Sequence, residues 1–191
     1  MRDDVDTRVR LAEGLETPRR TLARLARDPS PKVRWKVAQN PRTPTDTLLA
    51  LVEDVNVYVV LRVAENLHTP DSALEDLSKH PDHRVREAVL RHPRVTPELL
   101  ERLTDDSDER TRSRAWTHPK LSLERLTEGA SSLNAVVRFC VSINPSSPPE
   151  VLDLLCTDPE REILSAVYNH FHATPNIRAK ALLCLTLEHE F

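Results

Sequence analysis

The sequence predicts an all-α fold, a right-handed α-solenoid of about seven 26-residue repeats, each built from two short helices. Three observations predict it. The first is a fixed period: Asn40-Pro41 recurs as Asn66-Leu67, His92-Pro93, His118-Pro119, Asn144-Pro145 and His170-Phe171. Leu48 likewise maps onto Leu22, Leu74, Leu100, Leu126 and Leu152. A repeat of this length marks a stacked array rather than one globular core. The second is proline punctuation, with fifteen prolines against two glycines. The third is a hydrophobic content of 39% with only 4% aromatic residues, which suits thin layers of Leu, Val and Ala. The repeats run over about 4–29, 30–55, 56–81, 82–107, 108–133, 134–159 and 160–185, a single domain filling 1–191.

Pro31 to Asp54, PKVRWKVAQNPRTPTDTLLALVED, shows how each repeat is built. The first helix begins at a polar residue, Ser30, whose slot holds Asp4, Asn56, Asp82, Asp108 and Asn134, with Glu160 as the exception. Small oxygen-bearing side chains there accept hydrogen bonds from the free N–H groups of a first turn. Val33, Val37 and Ala38 then fall on one side of a 3.6-residue helix. The Asn/His-Pro pair ends it, because proline disfavours helical geometry in the residue before it. The second helix is expected to start at Thr-Pro or Ser-Pro, with the hydroxyl as N-cap and proline at the first helical position. This pair occurs at Thr17, Thr43, Thr69, Thr96, Ser147 and Thr174. Ser147 and Glu150 have capping-box spacing. Thr96-Pro97 sits one residue late and LSLERL (121–126) lacks the proline, so looser geometry is expected at both. Leucines three apart, such as Leu48 and Leu51, give the second helix its buried stripe. Neither helix is long enough to be stable alone, so each repeat depends on its neighbours.

The pattern VRxxVAxNPxTPxxxLxxLxxD, as it stands in Val33–Asp54, resembles the leucine-rich repeat variant family, which is close in character to HEAT-like repeats. The resemblance spans all seven repeats and implies architecture more than activity. Some members of that family carry a cysteine cluster holding an iron–sulfur centre near the N-terminus. The first cysteine here is Cys140, so no cofactor is expected. HEAT-like arrays also use an Asp–Arg ladder between layers. Asp54 recurs as Asp28, Asp106 and Asp158, and Arg34 as Arg8, Arg86, Arg112 and Arg138, with Val60 and Leu164 breaking the series. Read with the nearest preceding acid, Asp28/Arg34 and Asp106/Arg112 keep both members, each pair contributing about 0.2–1 kcal/mol.

The net charge is −3, unlike the strongly basic balance of a dedicated nucleic-acid binder. No apolar run approaches the roughly 20 residues of a spanning helix, so no membrane association is expected. MRDDVDTRVR lacks the apolar core of a signal peptide. Cys140, Cys156 and Cys184 are odd in number and have no CxxC spacing, which points to reduced thiols in a cytoplasm.

With Val33, Val37 and Ala38 inward, positions 32, 35, 36 and 39 face outward. Trp35, Leu61 and Phe139 share one outward slot, with Tyr58 and Val136 one turn before the latter two. Glu87 and Ser113 fill the same slot as ordinary surface residues. Trp35, Tyr58 and Leu61 on adjacent repeats predict an apolar-aromatic patch, and such patches mark interaction surfaces. Trp116 and Tyr168 occupy the slot of Ala12, Ala38 and Ala64, which predicts local repacking of the core. His92, His118 and His170 share the helix-ending slot of Asn40, where a polar group meets unpaired carbonyls. No metal site is expected from them, nor from His80, His83 and His172. No nucleophile motif or phosphate loop is present.

The expectation is a non-enzymatic scaffold that binds a protein or peptide through Trp35, Tyr58, Leu61, Val136 and Phe139, as a monomer or weak homo-oligomer. Two rivals stand beside it. One is a nucleic-acid-binding array, DNA-glycosylase-like in the extreme, with Arg34, Lys36, Arg62, Arg84, Arg86, Arg110, Arg112 and Arg114 lining a groove. The other is a self-associating structural subunit.

Overall fold

The computed structural model describes residues 4–187. Residues 1–3, where the leader-peptide reading begins, and 188–191, the end of the tail after the seventh repeat, lie outside the described residues. The chain divides into two compact units, one ending at Val95 and the other beginning at Thr96.

The N-terminal unit contains α1 (Val5–Glu13), α2 (Arg19–Leu25), α3 (Pro31–Gln39), α4 (Thr45–Leu51), α5 (Val57–Glu65), α6 (Asp71–Leu77) and α7 (His83–Arg91). The C-terminal unit contains α8 (Pro97–Leu103), α9 (Glu109–Trp116), α10 (Leu123–Ala130), α11 (Ala135–Ser142), α12 (Pro149–Leu155), α13 (Arg161–Asn169) and α14 (Pro175–Leu187). In the first unit α1 packs on α3, α3 on α5 and α5 on α7, while α2, α4 and α6 each support the next odd-numbered helix. In the second, α9, α11 and α13 form one row, and α10, α12 and α14 the other. Leu22, Leu48 and Leu74 in one unit, and Leu100, Leu126 and Leu152 in the other, are fully or almost fully buried. The periodic leucines are therefore the core. Each repeat is two short helices, as the sequence pattern requires.

The six predicted N-cap residues stand at the starts of first helices, and Glu160, the exception, fills the seventh position without a side-chain cap. The side chains of Asn56, Asp82, Asp108 and Asn134 accept a first-turn N–H. The Thr-Pro element works differently from the expectation. In α2, α4, α6 and α12 the residue at the N-cap is the proline itself. The hydroxyl before it turns back: Thr17, Thr43, Thr69 and Ser147 donate to the carbonyls of Leu11, Val37, Val63 and Val141 at 2.5–2.6 Å. They satisfy the C-terminal end of the first helix, and the Ser147/Glu150 capping box does not form. The slot is apolar in three repeats, as Val95, Leu121 and Ala173. There the following residue is a hydroxyl that does cap: Thr96 accepts from Leu99 N, Ser122 from Arg125 N and Thr174 from Ile177 N. The two positions expected to be loose are thus capped α-helices, because a capping hydroxyl replaces the back-turned one.

The helix-ending slot forms a second ladder. Asn40 Nδ2 donates to the carbonyls of Ala12 and Gly14, and Asn66 Nδ2 to those of Ala38 and Asn40. Asn144 does the same to Trp116 and His118. Histidine fills the same slot in other repeats. His92 and His170 contact the carbonyls of Asn66 and Asn144 through Nε2 at 3.0 Å. Their Nδ1 atoms accept from Arg94 N and His172 N. That arrangement assigns the neutral imidazole with its proton on Nε2.

The arginine ladder also forms, with a partner other than the expected one. Arg8 binds Asp28 through Nε and Nη2 at 2.6 and 3.3 Å. Arg34 binds Asp54 at 2.6 and 2.9 Å, and Arg138 binds Asp158 at 2.7 and 3.2 Å. The carboxylate lies twenty residues after the arginine, not six before it. Six before it lies a main-chain acceptor: Nη1 of Arg34 donates to the carbonyl of Asp28, and that of Arg112 to the carbonyl of Asp106. Arg34 and Arg138 thus tie the end of the preceding repeat to the far end of their own. Burial raises the Asp28 carboxyl, but hydrogen bonds from Arg8 and Ser30 N, with the charges of Arg8 and Arg34, leave it below the usual carboxylate value. Arg34 is held above its usual value, chiefly by its hydrogen bond to Asp54.

Candidate functional site

Three grooves, one in the N-terminal unit and two in the C-terminal unit, hold four of the five predicted site residues. In the N-terminal unit a groove of about 390 Å³ is lined by Asp6 and Val9 of α1, Pro31, Lys32, Trp35 and Lys36 of α3, and Asn56 and Tyr58 beside α5. Trp35 is half-buried at its centre, and Tyr58 is 56% exposed at its side. The structure brings these two rings into one groove. Leu61 is half-buried on the next turn of α5 and does not line it.

Cations surround the rings. The ammonium of Lys36 lies 4.5 Å and the guanidinium carbon of Arg62 4.7 Å from the Trp35 ring centre. Arg84 lies 5.4 Å from that of Tyr58. Such contacts are worth about 0.5–1 kcal/mol each at exposed sites. Arg62 Nε is buried without a hydrogen-bond partner, so its neighbour there is the indole face rather than an oxygen. Three of the cations also pair with carboxylates: Lys36 with Glu13, Arg62 with Glu65 at 2.7 Å and Arg84 with Asp82 at 2.7 Å. The Arg84 hydrogen bonds hold the Asp82 carboxyl down to about 2. Lys32 has no such partner among the described residues.

In the C-terminal unit Val136 and Phe139 are 46% and 38% exposed. They form a ridge on α11 with a groove on either side. One, of about 650 Å³, runs along α9 and includes Ser113, Thr117, Cys140 and Ile143. The other, of about 270 Å³, is bounded by Glu160, Glu162 and Ile163. Burial pushes the Cys140 thiol above its usual value despite a hydrogen bond with Ser113, so it behaves as an apolar wall. Among the described residues no cysteine is paired in a disulfide.

Other expectations resolve differently. Glu87, read as an ordinary surface residue, is 7% exposed, with its carboxylate 3.4 Å from Arg91 on the next turn. Trp116 is buried, as repacking requires, and its indole N–H donates to the carbonyl of Thr104. Tyr168, assigned to the core with it, is instead 37% exposed. His170, Phe171 and His172 stack as a ring cluster, with centroids 4.0–5.5 Å apart. Among the described residues no group of His, Cys, Asp or Glu is placed to hold a metal ion.

Ile143 is one of the groove residues that the sequence reading missed. Its slot is polar in earlier repeats, as Glu13, Gln39, Glu65, Arg91 and Thr117. An isoleucine there was the available signal.

A solved structure described as a leucine-rich repeat variant with a novel repetitive protein structural motif is similar to this chain. The two are 25% identical, with a TM-score of 0.68, over 95% of this chain and 76% of the other. An engineered protein aligns over 97% of this chain with 15% identity, at a TM-score of 0.26 that carries no argument. No protein-family profile and no curated protein matches the chain. The protein thus has a leucine-rich-repeat-variant-like, all-α repeat fold, a helical scaffold type of architecture. Among the described residues no helix is long and apolar enough to cross a membrane.

Proposed function

We propose that the protein is a non-enzymatic scaffold that binds a protein or peptide segment on the outward faces of α3, α5 and α11. The observation that carries this reading is the groove holding Trp35 and Tyr58. A tryptophan and a tyrosine share an open cleft, held by helices whose opposite faces are fixed in the core. Aromatic side chains supply large contact area at low entropic cost, and they dominate the energetics of interfaces. Rings already ordered by Lys36, Arg62 and Arg84 lose little freedom on binding. The Val136/Phe139 ridge offers a second apolar surface of the same kind.

The arginine slots support this over a nucleic-acid reading. Arg8, Arg34 and Arg138 are tied to carboxylates, and Arg112 is tied to main-chain carbonyls, which removes them from a phosphate-binding role. The test is affinity capture from nuclease-treated extract with a photo-crosslinker at position 58, comparing the native chain with Trp35→Ser. Crosslinked protein retained by the native chain and lost from the folded variant is the expected outcome. Equal crosslinking by both would reject the groove as the binding face. Retention of nucleic acid alone from untreated extract would reject the protein-binding reading.

A further inference from the structure

We infer that the groove between α11 and α13 receives a basic peptide segment: one aromatic or large aliphatic side chain seated on Val136 and Phe139, with a lysine or arginine a few residues away that faces Glu160 and Glu162. This rests on the scaffold reading above and gives its second surface a partner chemistry of its own.

This groove repeats the one around Trp35 in later slots of the array. Ala135, Val136, Phe139, Glu160 and Glu162 stand where Pro31, Lys32, Trp35, Asn56 and Tyr58 stand there. The lysine has become a valine, and two uncharged side chains have become glutamates. About 270 Å³ is enclosed, with Ile163, 1% exposed, as the apolar floor. That is below the volume of sites for drug-sized ligands and suits one large side chain.

The charge is one-sided. Both glutamates are exposed, and no cation among the described residues lines the groove. Glu160 occupies the N-cap slot without a side-chain cap, unlike Asp108 and Asn134 before it, so its carboxylate is not spent on the helix. Nearby cations are engaged elsewhere. Arg161 donates to the carbonyl of Leu185 on α14. Arg138 is held by Asp158 and by the carbonyl of Ser132, although the charge of Glu160 also favours its charged form. Glu162 has no ion-pair partner among the described residues. The N-terminus of α13 offsets only about half a charge, against two carboxylates. On the α9 side of the ridge Asp108 and Glu109 are matched by Arg110 and Arg114, so the charge selects the α13 side. A cationic flank complements it, whereas the phosphates of a nucleic acid or an anionic lipid are repelled.

The experiment is selection of a random peptide display library on the immobilised native chain. Parallel selections use Phe139→Ala, Trp35→Ala and the charge-reversed Glu160→Lys/Glu162→Lys, each confirmed folded by circular dichroism. The expected result is a set of peptides that need Phe139 and carry Lys or Arg within three positions of a Phe, Leu, Ile or Met. Glu160→Gln/Glu162→Gln should weaken such a peptide about two- to tenfold, the scale of two exposed ion pairs. The charge-reversed chain should instead enrich Asp or Glu at those positions. Phe139-dependent peptides without a basic preference, or with a preference unmoved by charge reversal, would overturn the inference and leave the scaffold reading standing. Peptides that depend on Trp35 alone would do the same. Absence of any peptide dependent on either ring would overturn both. A dimer in sedimentation equilibrium that dissociates on Phe139→Ala would overturn the inference in favour of a second copy as the occupant.

Discussion

The two tryptophans of this protein sit in two units and do opposite work. Trp35, in the N-terminal unit, occupies an outward slot, is half-buried and is framed by cations. Trp116, in the C-terminal unit, occupies the slot of Ala12, Ala38 and Ala64 and is 5% exposed. Room for it comes from Gly129. A Cβ at that position would stand 2.4 Å from the Trp116 ring and 2.8 Å from Val141. The same slot in other repeats holds Leu25, Leu51, Leu77, Leu103 and Leu155. The usual Ala–Leu pair, thirteen residues apart, has become Trp–Gly with large and small exchanged. Tyr168 and Ala181 repeat the exchange, Ala181 fully buried and the tyrosine partly emergent. The slot alone does not decide the outcome, since Trp116 is core and Tyr168, in the same slot, reaches the surface.

The largest expected effects test that exchange. Trp116→Ala should cost about 3–5 kcal/mol through the cavity it leaves, and Gly129→Leu should prevent stable packing of α10 on α11. The double variant restores the Ala–Leu pair, and urea unfolding should show it more stable than either single variant. Strict additivity would refute the exchange. Trp35→Ala should cost about 1–2 kcal/mol, losing mainly its two cation contacts. A loss as large as that of Trp116→Ala would show that Trp35 is core after all.

The arginine ladder comes next. Arg34 and Asp54 are mostly buried, with side chains 13% and 5% exposed. Asp54→Ala leaves the guanidinium without its carboxylate and should destabilise by about 3 kcal/mol. Asp28→Ala strips Arg8, whose side chain is more exposed at 26%, and should cost less. Equal losses in thermal unfolding would show that burial does not set the strength of the ladder.

The smallest effect is a difference in pH response. Burial pushes the His170 imidazole below its usual value, a hydrogen bond to the carbonyl of Asn144 pulls it partly back, and His172 pushes it down again. Folding therefore favours the neutral form. This contribution is complete above the unfolded imidazole pKa of about 6.5 and is lost as pH falls from there through the folded value. Asn144 makes the same two hydrogen bonds in its own repeat, to the carbonyl of His118 and from Ser146 N, and does not titrate. His170→Asn should narrow the drop in Tm between pH 7.5 and 5.5, and an unchanged drop would remove His170 from the acid response.

Much of this was present in the sequence and some of it was read in the wrong register. The arginine and its acid vary together at a spacing of twenty: Arg8/Asp28, Arg34/Asp54, Arg86/Asp106 and Arg138/Asp158 are kept, while Val60/His80 and Leu164/Cys184 lose both. Only Arg112/Ser132 breaks the rule. Pairing by nearest neighbour concealed it, since an acid six residues away also satisfies a charge argument. The alternation of Thr43-type and Thr96-type hydroxyls was equally visible, but a hydroxyl before a proline can serve the helix it follows or the helix it precedes, and only the fold selects between them.

The sequence by itself determined the repeat, the two helices within it, the buried leucines and the outward placement of Trp35, Tyr58, Val136 and Phe139. Helical periodicity and proline are local, and burial of a periodic stripe needs no knowledge of the partner helix. What the tertiary structure decided was which long side chains meet. It stacked Lys36 and Arg62 on Trp35, left Leu61 outside the groove, buried Glu87 and lifted Tyr168 to the surface. Those outcomes depend on side chains from different repeats competing for the same space, and a period of 26 residues fixes slots without fixing how neighbouring slots share volume and charge.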